Sequence, residues 1–114
     1  MGKLAAPPCD GQFIMIVKGN EPLFWHFLQK EENIIGRQSS CEIELADESI
    51  SREHALIKKE GQDWSIVDSG SRNGLRVNGQ KIKNRILCDG DLVTVGEYEL
   101  IFVVNQTLEE CMNF

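Results

Sequence analysis

Turn-forming residues punctuate this chain at short intervals, and the apolar runs between them are too brief for helices. Gly19-Asn20, Pro22, Gly36, Gly61, Asn73-Gly74, Asn78-Gly79, Gly90 and Gly96 break it up, and Val, Ile and Phe dominate the runs they separate. That pattern predicts strands throughout. Residues 13–17 form a continuous apolar strand, closed by Lys18-Gly19-Asn20-Glu21-Pro22, and 23–28 read as its hairpin partner. Residues 34–35 lead into Gly36, and 43–45 give a very short strand. Residues 54–59 and 64–68 flank Glu60-Gly61-Gln62 as a hairpin, and 92–95 and 98–104 flank Gly96-Glu97. Between 75–77 and 81–82, Asn78-Gly79 suits a two-residue type I′ turn, because both central positions need a positive φ. Many short strands without helical periodicity predict an all-β protein, two antiparallel sheets packed as a β-sandwich. In the last strand both alternating sets, Tyr98/Leu100/Phe102 and Glu99/Ile101/Val103, are largely apolar, which predicts a central strand covered on both faces.

Composition narrows the function. The chain has 114 residues, enough for one ordinary domain and no second core. Eighteen acidic residues against twelve basic ones give a net charge of −6, which disfavours nucleic acid and anionic membrane surfaces as partners. Cys9, Cys41, Cys88 and Cys111 are scattered without a C-x-x-C pair, so no metal site or redox motif is indicated. No apolar run is long enough for a membrane span, and Pro7-Pro8 cuts short the only stretch resembling a leader, so the expected setting is the reducing cytoplasm. No cofactor is implied.

Three turns carry more polar chemistry than turning requires. Gly36-Arg37-Gln38-Ser39-Ser40 follows a strand, Ser49-Ile50-Ser51-Arg52-Glu53-His54 precedes one, and Asp68-Ser69-Gly70-Ser71-Arg72-Asn73-Gly74 joins two. Sandwich loops cluster at the two ends, so these segments are expected to gather Arg37, Arg52 and Arg72 on one rim of an acidic protein.

These segments, with Val77-Asn78-Gly79, Leu87, Gly90-Asp91 and Gly96, resemble the forkhead-associated (FHA) domain in order and spacing from about residue 13 to 104, with a loop pattern closest to bacterial members. The resemblance implies a sandwich of about eleven short strands, of FHA/SMAD type, whose loops bind phosphothreonine peptides. The expected division is an N-terminal extension over 1–12, the domain over 13–104 and a tail over 105–114. By motif position, Arg37 would hold the phosphate, Ser51 would donate its hydroxyl to a phosphate oxygen, and Asn73 would hold the peptide main chain. Arg52 and Arg72 would add flanking phosphate or peptide contacts, with Gly36, His54 and Gly74 supporting the loops. The partner implied is a phosphothreonine-containing protein, downstream of a Ser/Thr kinase.

The residue types suit that chemistry. Phosphate carries about −1.5 to −2 charge and three acceptor oxygens, so its receptor needs fixed donors and positive charge. Arginine grips two oxygens with one planar fork, a hydroxyl donates without bulk, and asparagine both donates to and accepts from an extended main chain. Two departures stand out: Leu75 where threonine commonly follows the Asn-Gly pair, and Ser69 where leucine often follows the aspartate. Each motif residue also has an ordinary reading. Arg37 alone is a solvated charge, Ser51 a turn residue, and Asn73-Gly74 a hairpin turn, although Asn78-Gly79 is the better hairpin and leaves Asn73 for a ligand. Ser51, His54 and Asp68 contain the ingredients of a nucleophilic triad, but no nucleophile elbow accompanies them, and the chain reads as a non-enzyme. His26 reads as a strand residue, and Thr107 as a minor candidate for phosphorylation. The alternative function is a phosphate-independent interaction or scaffold domain on the same fold.

Overall fold

The computed structural model of the chain describes residues 10–105. Eleven strands run in order: β1 (Gly11–Lys18), β2 (Glu21–Phe27), β3 (Glu32–Gly36), β4 (Ile43–Glu44), β5 (Ala55–Glu60), β6 (Asp63–Asp68), β7 (Arg76–Val77), β8 (Gln80–Lys81), β9 (Asn84–Ile86), β10 (Leu92–Val95) and β11 (Tyr98–Asn105). They build one sheet in the order β2-β1-β11-β10-β7-β8 and a second in the order β4-β3-β5-β6-β9. The β-sandwich read from the sequence is thus the fold. One pair departs from the antiparallel expectation: β4 lies parallel to β3, with Ile35 opposite Ile43. The connection between them is a loop that returns along the strand without a hairpin, and that loop carries Arg37.

Period-two alternation supplies the core. Ile14, Ile16, Ile35, Ile57, Ile66 and Leu100 are fully buried between the sheets, each contributing about 1.5–3 kcal/mol against an exposed reference. The turn at Asn78-Gly79 has φ of 51° and 84°, as a type I′ turn demands. Its asparagine does more than turn. Asn78 Nδ2 donates to Asp91 Oδ1 (3.0 Å), the Leu92 N–H donates to Asn78 Oδ1 (3.0 Å), and Asp91 Oδ2 accepts the Cys88 N–H (2.8 Å). A buried carboxylate is thereby satisfied, and the β7–β8 hairpin is fixed to the start of β10.

The last strand, β11, is central, between β1 and β10. Its second face is not fully covered, however: Glu99, Ile101 and Val103 are only half-buried, because the outer side of this sheet faces solvent over that strand. β9 is absent from the sequence reading, since Asn84-Arg85-Ile86 carries neither alternation nor β-branched enrichment beyond Ile86. Thr107, Cys9, Cys111, most of the 1–12 extension and nearly all of the 105–114 tail lie outside the described residues. Cys41 and Cys88 are free thiols. Among the described residues no helix is long and apolar enough to cross a membrane.

Candidate functional site

The three polar loops meet at one end of the sandwich, and backbone contacts account for the meeting. Gly36 is buried at the end of β3, and a Cβ there would overlap the Arg52 carbonyl oxygen and approach Cys41 Sγ to 2.8 Å and the Arg52 carbonyl carbon to 2.9 Å. Only glycine lets the 49–54 loop come this close. The Arg37 N–H then donates to the carbonyls of Ser51 and Arg52, both at 3.1 Å, and the Cys41 thiol donates to the Arg52 carbonyl at 3.4 Å. Burial pushes the Cys41 thiol pKa up, which keeps it in the protonated, donating form.

His54 is fully buried beneath the loops. Its Nδ1 accepts the Ser51 N–H (3.1 Å), which puts a ring proton on Nε2, and Nε2 donates to the Gly74 carbonyl (2.8 Å). The imidazole thus ties two loops twenty residues apart in sequence, and the Ser69 N–H adds a bond to the His54 carbonyl at 3.0 Å. With both nitrogens engaged by backbone groups, His54 is not available to Ser51 Oγ as a base. The 68–74 loop is closed internally as well. The Ser71 N–H donates to Asp68 Oδ1 (3.1 Å) and the Gly74 N–H donates to Ser71 Oγ (3.0 Å).

On this base sit the polar side chains. Ser51 Oγ accepts the Arg72 N–H at 3.0 Å and keeps its own proton to donate. Arg37 and Arg52 are exposed, and among the described residues neither guanidinium is ion-paired. Arg72 is turned aside, with Nη2 donating to the Glu48 carbonyl at 3.1 Å. Asn73 is partly committed: Nδ2 donates to the Ser49 carbonyl at 2.9 Å, which leaves Oδ1 and a second amide proton. Beside it a groove of about 230 Å³ is lined by Asn73, Ser49, Arg76, Thr94, Gly96 and Glu97.

Two contributors were missed in the sequence. Ser49 Oγ accepts the Glu97 N–H (3.0 Å), and Gly96, at φ 58°, has no room for a Cβ against Ser49 and Ile50, so the β10–β11 turn is docked onto the 49–54 loop. Asp47 anchors the same loop, accepting the Ser49 N–H (2.8 Å) and the Lys18 ammonium (2.9 Å). The Ser49 N–H first, and then Lys18, hold its carboxyl down to about 2. The Asp47-Glu48-Ser49 spacing is an Asx-turn signal and could have been read as one. Among the described residues no cluster of side chains could hold a metal ion.

A β-sandwich whose end loops carry two exposed arginines without an ion pair among the described residues, a serine hydroxyl and an asparagine over a braced backbone has the chemistry to hold an anion borne on a peptide. The sequence profile of the FHA domain matches residues 33–96. The chain belongs to the FHA domain family. It is 32% identical over 95 residues to an oxoglutarate dehydrogenase inhibitor of Corynebacterium jeikeium, covering 82% of this chain and 66% of that protein. It is 33% identical over 98 residues to the glycogen accumulation regulator GarA of Mycobacterium tuberculosis, covering 85% of this chain and 59% of that protein. The chain thus spans less than two thirds of the length of these two curated relatives. A solved domain from a study of phosphothreonine-dependent FHA domain interactions superposes with a TM-score of 0.76 at 29% identity, covering 84% of this chain and 98% of that one.

Proposed function

We propose that residues 13–104 form a non-catalytic module that binds phosphothreonine in partner proteins. The observation that carries this reading is that Arg37 and Arg52, exposed and without an ion pair among the described residues, stand on loops that meet at Ser51, whose hydroxyl oxygen accepts the Arg72 N–H and keeps its own proton to donate. Such a hydroxyl has its proton to give, and a dianionic phosphate is the ligand that uses two cations and a hydroxyl donor together. Arg37 grips the phosphate, Ser51 donates to one of its oxygens and Arg52 adds charge. Asn73 holds the peptide main chain at the mouth of the adjoining groove. Arg72 contributes its backbone through Ser51, and its side chain joins the ligand only by leaving the Glu48 carbonyl. Gly36, His54 and Gly74 support the loops. Kinship to a domain studied for phosphothreonine-dependent interactions supports the same ligand. A threonine kinase writes the mark and a phosphatase erases it, in a cytoplasmic setting that keeps Cys41 reduced.

Calorimetric titration with phosphothreonine, phosphoserine and unphosphorylated forms of one peptide tests the assignment. The phosphothreonine form is expected to bind and the unphosphorylated form to give no heat. Arg37→Ala is expected to weaken binding at least about thirtyfold, in line with about 2–5 kcal/mol for removing one partner of a hydrogen-bonded charge pair. Equal binding of all three forms, unchanged by Arg37→Ala, would make the domain a phosphate-independent scaffold.

A further inference from the structure

The two sheets end in four edge strands, and three of these are blunted. β4, β8 and β9 are two or three residues long, and each carries a charged residue, Glu44, Lys81 and Arg85. β2 differs. It runs seven residues, Glu21–Phe27, and its only acidic or basic residue besides His26 is Glu21 at the first position. Pro22 and a bulge interrupt the pairing with β1 at that end alone. Beyond the bulge the edge is apolar: among the described residues, three of the four exposed large hydrophobic side chains, Leu23, Phe24 and Phe27, lie on this strand.

Main-chain direction along β2 follows from the ladder. The Leu28 N–H donates to the Gln12 carbonyl at 2.9 Å, so by antiparallel alternation the groups of His26 and Phe24 also face β1, and those of Trp25 and Phe27 face outward. The Phe27 carbonyl accepts the Gln29 N–H at 2.9 Å. The Trp25 N–H and carbonyl, in the middle of the open stretch, have no strand beside them among the described residues. The side chains are already ordered. Phe27 stacks on Phe13 with ring centroids 4.9 Å apart, and Trp25 meets the same ring edge-on at 5.8 Å. Phe27 also lies over Gly11, where a Cβ would come within 2.6 Å of the ring.

We infer that the chain self-associates through β2, the edge of one copy pairing antiparallel with that of a second across a two-fold axis at Trp25. The Trp25 N–H of each copy donates to the Trp25 carbonyl of the other, and Leu23 and Phe27 stand across from one another at both ends of the pairing. Three observations favour a second copy as the occupant. The two-fold sets Leu23, Trp25 and Phe27 against their own kind and keeps the two Glu21 carboxylates at opposite ends. Residues 23–27 include no Asp, Glu, Lys or Arg that would select a partner of opposite charge. The area also suffices. At 50, 43 and 37% exposed, Leu23, Phe24 and Phe27 hold about 250 Å² of accessible surface per copy, for side chains of about 150–250 Å². With the main chain and the half-buried Pro22, Trp25 and His26, the two copies bury on the order of 1,000 Å², the lower bound of a specific interface. The dimer is therefore weak, with a Kd of about 10–100 µM. Because the Glu21 ends point opposite ways and lie beside Lys18, both loop rims stay open.

Sedimentation velocity of the full chain over about 5–500 µM tests the pairing, with monomer expected at the low end and dimer at the high end. Leu23→Lys and Phe24→Lys, both at exposed positions, place like charges along the seam, and each is expected to raise the Kd at least about tenfold. Ile86→Lys, at the exposed apolar residue of β9, is expected to leave it unchanged. Amide hydrogen exchange of the ¹⁵N-labelled wild type reads the geometry and stands whether or not a lysine variant folds. The Trp25 amide is expected to exchange more slowly as concentration rises, while those of Phe24 and His26, which face β1, are slow throughout. A monomer at about 500 µM with a fast Trp25 amide would leave the edge to a different protein. Trp25 protection that ignores dilution would mean that the chain covers its own edge, and association unchanged by both lysine variants would place the contact elsewhere. Each of these results overturns the proposal.

Discussion

Gly36→Ala isolates how closely the loop rim depends on backbone packing. The added methyl overlaps the Arg52 carbonyl oxygen and stands 2.8 Å from Cys41 Sγ and 2.9 Å from the Arg52 carbonyl carbon, where contact at about 3.5–4.0 Å is comfortable. The end of β3 and the 49–54 loop must therefore part by about 1 Å. Overpacking of this kind costs about 1–3 kcal/mol. The Arg37 N–H also loses its shared bond to the Ser51 and Arg52 carbonyls, about 1 kcal/mol more. A total of about 3 kcal/mol lowers the melting temperature of so small a domain by about 12 °C or more. Urea denaturation followed by Trp fluorescence gives the stability, and calorimetry with a phosphothreonine peptide gives the affinity, which is expected to fall in parallel as Arg37 and Ser51 move apart. Adding Cys41→Ala relieves only the sulfur contact and restores a minor part of the loss. A Gly36→Ala protein within about 0.5 kcal/mol of wild type, with unaltered peptide affinity, would refute the close-approach reasoning.

His54→Ala leaves a cavity and strips partners from the Ser51 N–H and the Gly74 carbonyl, so a loss of about 3–5 kcal/mol is expected in the same denaturation assay; less than about 1 kcal/mol would mean that water replaces the ring. Asp47 sets a pH window. Its carboxyl is lowered from an ordinary 3.8 to about 2 in the folded protein, so its contribution is present above about 3.8 and is lost as the pH falls through about 2. Wild type is expected to exceed Asp47→Asn in thermal midpoint by a constant margin near neutrality, and carbon-detected NMR should show the Asp47 carboxyl still ionised at pH 3. A carboxyl titrating at its ordinary value would remove the anchor assigned to it.

The sandwich was legible because its hairpins declare themselves through residues with one conformational use. Asn78-Gly79 announces a type I′ turn, and Gly61 and Gly19-Asn20 mark two more hairpins, all at positive φ. β4 and β9 show where such reading ends. β4 pairs parallel through a loop with no turn signature, and β9 is held by Ser65, Ile66 and Val67 of β6 instead of by any pattern of its own. At the site, residue types and order pointed to the loop rim through the family motif, but bond direction did not follow from them. That Arg72 donates to Glu48 and Asn73 to Ser49 depends on where the 46–49 turn lands, and that in turn depends on Asp47 and on a lysine twenty-nine residues earlier.

The pairing of the first strand with the last has a mechanical meaning for any longer polypeptide that carries this domain. Gly11 stands opposite Asn105 at one end of that ladder, and Lys18 stands opposite Tyr98 at the other. The Lys18 end is the one joined to Asp47 and the binding loops, so the chain enters and leaves about 25 Å away, given about 3.4 Å per strand residue. Gly11 and Asn105, side by side, therefore stand at the end of this ladder opposite the 49–54 loop. Pulling on Gly11 and Asn105 together loads the hydrogen bonds at their end of the ladder before any force reaches the Lys18 end and the rim.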